Sequence, residues 1–188
     1  THAGRYPEKG KNAITSLIQT LNALDPSLKT PHSKTHTINL GTIQGGTREN
    51  IVPDHATCTL NARFMHENEL HAFIETCKAH AHSISIESKS QITVKTTSLR
   101  PAKPNTDAST SLYKSLEKAA TDCKQSLTTE SSFGVCDGNF IAEVGTPVID
   151  TMGAVGHGMH TVHESIHLPS LLSQSDLAFA VMRHQTLL

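Results

Sequence analysis

Residues 35–64, THTINLGTIQGGTRENIVPDHATCTLNARF, decide the fold of the first half of the chain. Apolar and polar residues alternate over 35–43 and again over 55–64, which is the period of a β-strand with one buried face. The Gln-Gly-Gly sequence at 44–46 interrupts the first run, and a loop containing Pro53 leads into the second. The stretch therefore predicts two strands that follow each other through a loop.

Helical periodicity flanks the two predicted strands, because residues 11–24 and 67–81 each place apolar side chains on one helical face. In the first helix this face consists of Ile14, Leu17, Ile18, Leu21 and Leu24. The sequence Asp25-Pro26-Ser27 predicts its end. Residues 83–94 return to the alternation of a strand. The resulting order, α-β-β-α-β, is one strand short of the ferredoxin-like split β-α-β motif, and we expect the missing first strand to precede Thr1.

The pattern changes after residues 98–108, which contain two prolines and which we interpret as a linker. Beyond it the sequence predicts helices at 110–124, 138–144 and 170–187, and a short buried strand at 147–150. Strands alternating with helices indicate an α/β layer. We therefore expect two domains, residues 1–98 and residues 99–188.

The composition excludes several classes of partner. The formal net charge is -1, aromatic residues make up 4%, and there is no Trp, so we expect neither nucleic acid nor an anionic membrane as a partner. No apolar run approaches the ~20 residues of a membrane helix. The four cysteines form no Cys-x-x-Cys pair and are expected to be reduced. Since no leader segment is evident at Thr1, we expect a cytoplasmic protein.

Histidine is unusually frequent, with 13 residues, four of which fall in the segment 145–169, GTPVIDTMGAVGHGMHTVHESIHLP. The predicted strand ends at Asp150, and glycines then make a helix impossible. Because ligand crevices form at the carboxyl ends of strands in α/β sheets, His160 is a candidate metal ligand. An exposed surface loop is an equally good interpretation. A structural zinc site built from all four histidines is a weaker one, since the glycines oppose convergence.

Residues 133–140, FGVCDGNF, are a second candidate site. Asp137 precedes a predicted helix, where it would act as an N-cap, or where backbone amides would bind an anion. Cys136 is more simply a buried structural cysteine than a nucleophile.

Three further residues have chemistry suited to a substrate. Asn50 enters the apolar Ile-Val-Pro sequence, and Arg63 is either half of a surface ion pair or a group that binds a carboxylate. His2 lies in a turn of small residues, where an imidazole can polarise a carbonyl oxygen.

Taken together, these segments resemble the zinc-dependent carboxypeptidase and amidohydrolase family, which includes glutamate carboxypeptidase, acetylornithine deacetylase, succinyl-diaminopimelate desuccinylase and aminoacylase. The motifs that carry the resemblance are His-Ala-Gly from residue 2, Gly-Gly-x-x-x-Asn-Ile-Val-Pro-Asp from residue 45, Arg100-Pro101, Asp137-Gly138-Asn139-Phe140 and Gly-x-Gly-x-His160. They extend from His2 to the C-terminal region. The resemblance implies a catalytic domain with two zinc ions, or cobalt or manganese, and an inserted lid domain that mediates homodimer formation.

The resemblance also implies roles for particular residues. His160 corresponds to a C-terminal zinc ligand, and His2 to the lid histidine that stabilises an oxyanion, often in the neighbouring subunit's site. The positions that correspond to substrate binding are Asn50, Arg63, Arg100, Gly134 and Asp137. The family's other metal ligands and its general-base Glu have no counterparts in this sequence, and Gly-Val-Cys replaces the usual pocket-loop residues.

The resemblance implies metal-dependent cleavage of the amide bond of an N-acyl amino acid, or of a short peptide with a free carboxylate. Two alternatives stay open. The chain is an inactive fragment or dimerisation module that lacks the remaining ligands, or it is a solute-binding or scaffold protein with the same fold.

Overall fold

The computed structural model describes residues 1–29 and 32–185 and divides them into two compact units, residues 1–102 and 103–188. In the first unit a short 3-10 helix, Pro7–Lys9, is followed by α1 (Ala13–Ala23), α2 (Asp25–Lys29), β1 (His36–Gly45), β2 (Ala56–Phe64) and α3 (Glu67–Ser88). In the second unit the elements are α4 (Asp107–Asp122), α5 (Gly138–Glu143), β3 (Gly156–His157), β4 (Ser165–Ile166) and α6 (Leu168–Gln185).

The first unit is organised by the antiparallel pairing of β1 with β2, from His36 opposite Phe64 to Gly45 opposite Ala56. This pairing confirms the two predicted strands. The register shifts between Leu40 and Thr42, so that Gly41 is an extra residue in β1. A bulge of this kind exchanges the two faces of a strand beyond it. The exchange matches the sequence, because the apolar residues of β1 are spaced by two and then by three.

The bulge therefore places three apolar pairs on one face of the hairpin, Ile38 with Ala62, Leu40 with Leu60, and Ile43 with Cys58. Ile38 is buried at the start of β1. At the other end α1 covers the sheet, where a Cβ on Gly45 would approach Ile14 Cγ1 to 2.9 Å. Residue 45 must therefore be small.

Helices α1 and α3 contact each other, and both contact β2. The buried residues of α1 are Ser16 and Thr20, whereas Ile18 is 46% exposed, so the apolar face expected for this helix is partly wrong. The two hydroxyls donate to backbone carbonyls one turn earlier, which satisfies them away from water. Their small size also suits a close helix–helix contact. On α3 the buried residues are Cys77 and Ala81.

One prediction for the first unit is wrong at its boundary. Residues 83–88 belong to α3, whose C-cap Lys89 is in the left-handed region (φ 54°), and no strand is assigned at 89–94. The Ser-Ile-Ser-Ile sequence alternates as a strand does, but the helix continues through it, and the Ser88 hydroxyl donates to Ile84 O (2.6 Å) one turn earlier. The predicted end of the first helix at Asp25-Pro26-Ser27 is confirmed, because α1 ends at Ala23 and a separate short helix, α2, begins at Asp25. Pro is compatible with the first turn of α2.

In the second unit, α4 and α6 pack against each other around a core of Leu116, Ala119, Ala120 and Leu177. Helix α4 begins with a reciprocal capping box between Thr106 and Ser109. The strand expected at 147–150 is wrong, since no strand is assigned there. The predicted helices are confirmed as α4, α5 and α6, although residues 186 and 187 of the last prediction lie outside the described residues.

Leu177 is 1% exposed in this core, so we expect Leu177→Ala to lower the free energy of unfolding by about 2–5 kcal/mol, through lost burial and the cavity left behind. Urea unfolding followed by circular dichroism measures the change. Leu172→Ala, at a residue 73% exposed on the same helix, is the matched control and is expected to change stability by less than about 0.5 kcal/mol. Equal losses for the two variants would contradict the assigned core.

Candidate functional site

The structure brings two of the candidate residues, His2 and Asn50, onto the same short backbone bridge. His2 forms an antiparallel bridge with Ile51, in which Ala3 N donates to Asn50 O (3.0 Å) and Val52 N donates to Thr1 O (2.9 Å). Gly10 lies against the same bridge, where a Cβ would come within 2.8 Å of Val52 Cγ1. The bridge brings together residues that are far apart in the sequence. Asn50 thus lies in the loop between β1 and β2.

The backbone fixes the orientation and the tautomer of the His2 ring. Gly4 N donates to His2 Nδ1 (3.1 Å), so Nδ1 is the acceptor and the neutral ring carries its proton on Nε2. The His2 side chain is exposed. An Nε2–H group on an exposed, oriented ring can donate to an oxygen of a bound molecule.

A shallow open cavity of about 530 Å³ lies on this part of the first unit. Its lining comes from the start of the chain, the N-terminal end of α1 and the loop after β1: Ala3, Asn12, Ile14, Gly45, Gly46, Thr47, Arg48, Glu49, Ile51, Val52 and Pro53. Asn12 is also the N-cap of α1, where its side chain accepts from Thr15 N (3.1 Å). The cavity is therefore contiguous with the bridge that holds His2.

Arg63 is not brought beside His2. It pairs with Thr37 near the opposite end of the hairpin, where its Nε donates to Asn61 Oδ1 (3.1 Å). The distance along β2 from Ala56 to Arg63 is about 23 Å at roughly 3.3 Å per residue. Arg100 is exposed in the segment that follows α3. Of the candidate residues of the first unit, the structure thus brings His2 and Asn50 together and places Arg63 near the other end of the hairpin.

In the second unit, the loop that contains Gly134 and Asp137 is joined to Asp150. The Cys136 thiol donates to Asp150 Oδ2 (2.9 Å), and Lys103 Nζ lies 2.6 Å from the same oxygen. The Thr151 hydroxyl donates to Oδ1 (3.0 Å). The thiol, the Lys103 ammonium and the Thr151 hydroxyl together lower the pKa of Asp150 to about 2, against the opposing effect of partial burial.

Asp137 is the N-cap residue of α5, as predicted, but its side chain makes no capping hydrogen bond to the helix. Asn139, which is buried, fixes this turn instead, because its Oδ1 accepts from Cys136 N (3.0 Å). Cys136 is half-buried and bound to a carboxylate, rather than packed as an inert apolar residue. Sequence reasoning missed Asp150 and Lys103. The signal was present, since Asp150 directly follows the apolar Pro-Val-Ile sequence.

His160 lies at the tip of the short hairpin formed by β3 and β4. It is exposed and has a φ of 64°, a conformation uncommon for a residue with a side chain. Gly158 also has a positive φ, and a Cβ there would approach His163 O to 2.9 Å. Among residues 1–29 and 32–185, no three His, Cys, Asp or Glu side chains are arranged to hold a metal ion. The four histidines of this region therefore form no structural zinc site.

Comparison with known proteins defines the class of the first unit. Residues 1–89 match the peptidase dimerisation domain. This match confirms the family resemblance predicted from the sequence, including the lid domain. In the part of the chain that the structure describes, no helix is long and apolar enough to cross a membrane.

Several known proteins are similar to nearly the whole chain. It is 27% identical to carboxypeptidase G2 of a Pseudomonas species over 169 residues, covering 86% of this chain and 38% of the relative. Aminopeptidase PepT from Bacillus cereus superposes with a TM-score of 0.77 at 26% identity, covering 98% of this chain and 48% of that one. The Bacillus subtilis YXEP protein, a dinuclear metal binding peptidase from the M20 family, superposes with a TM-score of 0.69 at 21% identity, covering 93% and 47%.

These shares mean that the chain spans less than half the length of the curated relatives it matches. Its match nevertheless includes both units, since it extends over nearly all of the chain.

The lowered pKa of Asp150 predicts a specific pH dependence of stability. The carboxylate's contribution is fully present above its ordinary pKa of 3.8 and is lost as the pH falls through about 2. Asp150→Asn is therefore expected to lower the melting temperature at pH 7, and this difference should shrink between pH 4 and pH 2 (roughly the interval between the two pKa values). Thermal unfolding at several pH values measures it.

Glu130→Gln removes an equal charge from an exposed position of the same unit and serves as the control. A melting-temperature difference for Asp150→Asn that stays constant down to pH 2 would exclude the proposed titration.

Proposed function

We propose that this chain is the lid and the C-terminal part of the catalytic domain of a metal-dependent hydrolase about twice its length. The hydrolase cleaves an amide bond of an N-acyl amino acid or of a short peptide with a free carboxylate. The observation that carries the proposal is the His2–Ile51 bridge, which holds an imidazole with a defined donor nitrogen beside Asn50. The similarity to carboxypeptidase G2 and aminopeptidase PepT supports the reaction class.

His2 suits the stabilisation of an oxyanion. Amide hydrolysis places negative charge on the carbonyl oxygen of the tetrahedral intermediate, and a pre-oriented donor favours that state over the substrate. The bond from Gly4 N to Nδ1 leaves Nε2–H as the donor without a protonation step. Because Ala3 N is bonded to Asn50 O, the ring and Asn50 move together with the loop after β1.

The separation of His2 from Arg63 supports action as a dimer. The carboxylate of a dipeptide lies only a few ångströms from its scissile carbonyl, whereas Arg63 lies about 23 Å along β2 from the end of the hairpin next to His2. One substrate cannot contact both ends. We propose that the two ends serve two different active sites of a homodimer, and that His2 reaches the site of the partner subunit.

The metal centre is only partly represented in this chain. A catalytic zinc ion requires about three protein ligands, and the described residues offer His160 without two further side chains in position. The exposed imidazole fits one ligand position and no more. We propose that the other ligands lie outside these 188 residues and that the ion is zinc, with cobalt or manganese as substitutes.

A second candidate function has its own support. Residues 1–89 match a dimerisation domain, and the described residues form no metal cluster, which favours a dimerisation module that is inactive by itself. The two proposals predict different results for a longer protein that includes any residues upstream of Thr1. The hydrolase would then be active, whereas the dimerisation module would not.

We expect the purified 188-residue chain to form dimers, to hold less than one metal ion per chain and to show no turnover of acetylated or glutamyl amino acids. Light scattering, metal analysis and a ninhydrin assay measure these properties. The same assays on the protein with any residues encoded upstream of Thr1 are expected to show metal binding and hydrolysis. Turnover by the 188-residue chain with stoichiometric zinc would contradict the proposal that its metal site is incomplete. If the longer protein forms dimers but shows no hydrolysis, the result would favour the inactive dimerisation module.

In the active longer protein, His2→Ala is expected to lower kcat by roughly 10²–10³-fold with little change in KM, because the lost donor acts on the intermediate. Steady-state kinetics measures this split. His71→Ala is the control, since His71 is an exposed histidine of the same unit and lies 3.5 Å from Glu67 on α3. A raised KM with unchanged kcat would assign His2 to substrate binding instead.

A further inference from the structure

Three segments of the second unit meet at the carboxylate of Asp150. Lys103 lies before α4, Cys136 lies in the loop before α5, and Thr151 begins the segment that leads to the hairpin of His160. Cys136 Sγ and Lys103 Nζ are both bound to Oδ2, at 2.9 and 2.6 Å, while Thr151 Oγ1 is bound to Oδ1 at 3.0 Å. Both oxygens of the carboxylate are thus occupied, Oδ2 by donors from two segments distant in the sequence and Oδ1 by the adjacent Thr151.

The loop at residues 134–137 is held by several contacts, of which the thiol bond to Asp150 is one. Its backbone is bound at Cys136 by the buried Asn139, through Cys136 N to Oδ1 (3.0 Å) and Asn139 N to Cys136 O (3.2 Å). A Cβ on Gly138 would come within 2.9 Å of Val148 Cγ1, so the turn packs closely against the segment that ends at Asp150. The Cys136 side chain then joins the loop to the Asp150 carboxylate.

Cys136 donates a hydrogen bond to a carboxylate, whereas Cys123 donates to the backbone carbonyl of Asp176 (3.7 Å). For Cys58 and Cys77, burial raises the pKa of the thiol, as expected for sulfur packed among apolar neighbours. Cys136 instead donates to an anion that Lys103 helps to keep ionised. A hydrogen bond to a charged group is stronger and more directional than packing of the same side chain.

We infer that Asp150 is a positioning residue for the substrate pocket, holding the Gly134–Asp137 loop through the thiol of Cys136, with Lys103 as the counterion. The inference rests on the proposed function and on the substrate-binding roles that the family resemblance implies for Gly134 and Asp137. It adds three residues, none of which contacts the reacting atoms. Loss of the contact should therefore weaken substrate binding more than it slows the chemical step.

The test compares Cys136→Ser with Cys136→Ala in the longer, active protein. Ser keeps a donor for the Asp150 carboxylate, whereas Ala keeps none, and both remove the volume of the sulfur atom. We expect the KM of the Ser variant to stay within about twofold of wild type and that of the Ala variant to rise about tenfold, with kcat changed by less than about threefold in both. Asp150→Asn is expected to behave as the Ala variant does.

A role in packing alone would raise KM equally in the Ser and Ala variants, and that result would overturn the inference. A fall in kcat with unchanged KM in Asp150→Asn would overturn it as well. Glu130→Gln, which removes an exposed negative charge of the same unit, is expected to leave both constants unchanged.

Alkylation of the thiol provides a readout that does not depend on turnover. Asp150→Asn leaves Cys136 beside an uncompensated Lys103 ammonium, which favours the reactive thiolate. Iodoacetamide labelling, followed by peptide mass spectrometry on the same protein, should then be several-fold faster at Cys136. Labelling at Cys123, half-buried on another element, should stay constant. Unchanged labelling of Cys136 would refute the contact, whereas faster labelling in a protein without hydrolysis would refute only the proposed function.

Discussion

The backbone ladder between β1 and β2 is the constraint on which the first unit depends. Its hydrogen bonds fix the register over the whole length of both strands, and helices α1 and α3 both contact β2. The loop that leaves β1 at Gly45 is then held by a second, shorter bridge to Thr1–Ala3. The hairpin therefore supports the position of His2 through this bridge. An oriented donor needs this kind of support, because misplacement by about 1 Å reduces catalysis greatly.

Much of the fold could be predicted from periodicity. Both strands of the hairpin and the principal helices follow from the spacing of apolar residues, and the order of short motifs indicated the family that residues 1–89 confirm. The errors occurred where local sequence does not determine the outcome. Residues 83–88 alternate like a strand yet continue α3, and residues 147–150 are apolar yet pair with no strand among the described residues. Strand formation requires a neighbouring strand, which periodicity alone does not supply.

The candidate site was less predictable than the fold, because its contacts join distant parts of the sequence. Nothing local indicates that His2 lies beside Asn50, or that Arg63 lies at the far end of the same hairpin. The contacts of Asp150 with Lys103 and Cys136 were missed for a related reason, since only the fold brings these two residues to the same carboxylate. In this cluster, one ionised carboxylate accepts hydrogen bonds from residues that are distant from it in the sequence. Its geometry becomes visible only in three dimensions.

The extra residue Gly41 has a consequence for how this hairpin can vary. Because side chains alternate along a strand, the bulge acts as a phase shift of one position between Leu40 and Ile43. Removing Gly41 would leave a regular strand in which Ile43 still lies on the same face as Leu40 and opposite Cys58. The bulge therefore lets β1 contain one residue more than β2 over the same length of ladder, without turning Ile43 or Gly45 to the opposite face. At this position the hairpin accommodates an insertion that, in a strand without a bulge, would reverse every side chain beyond it.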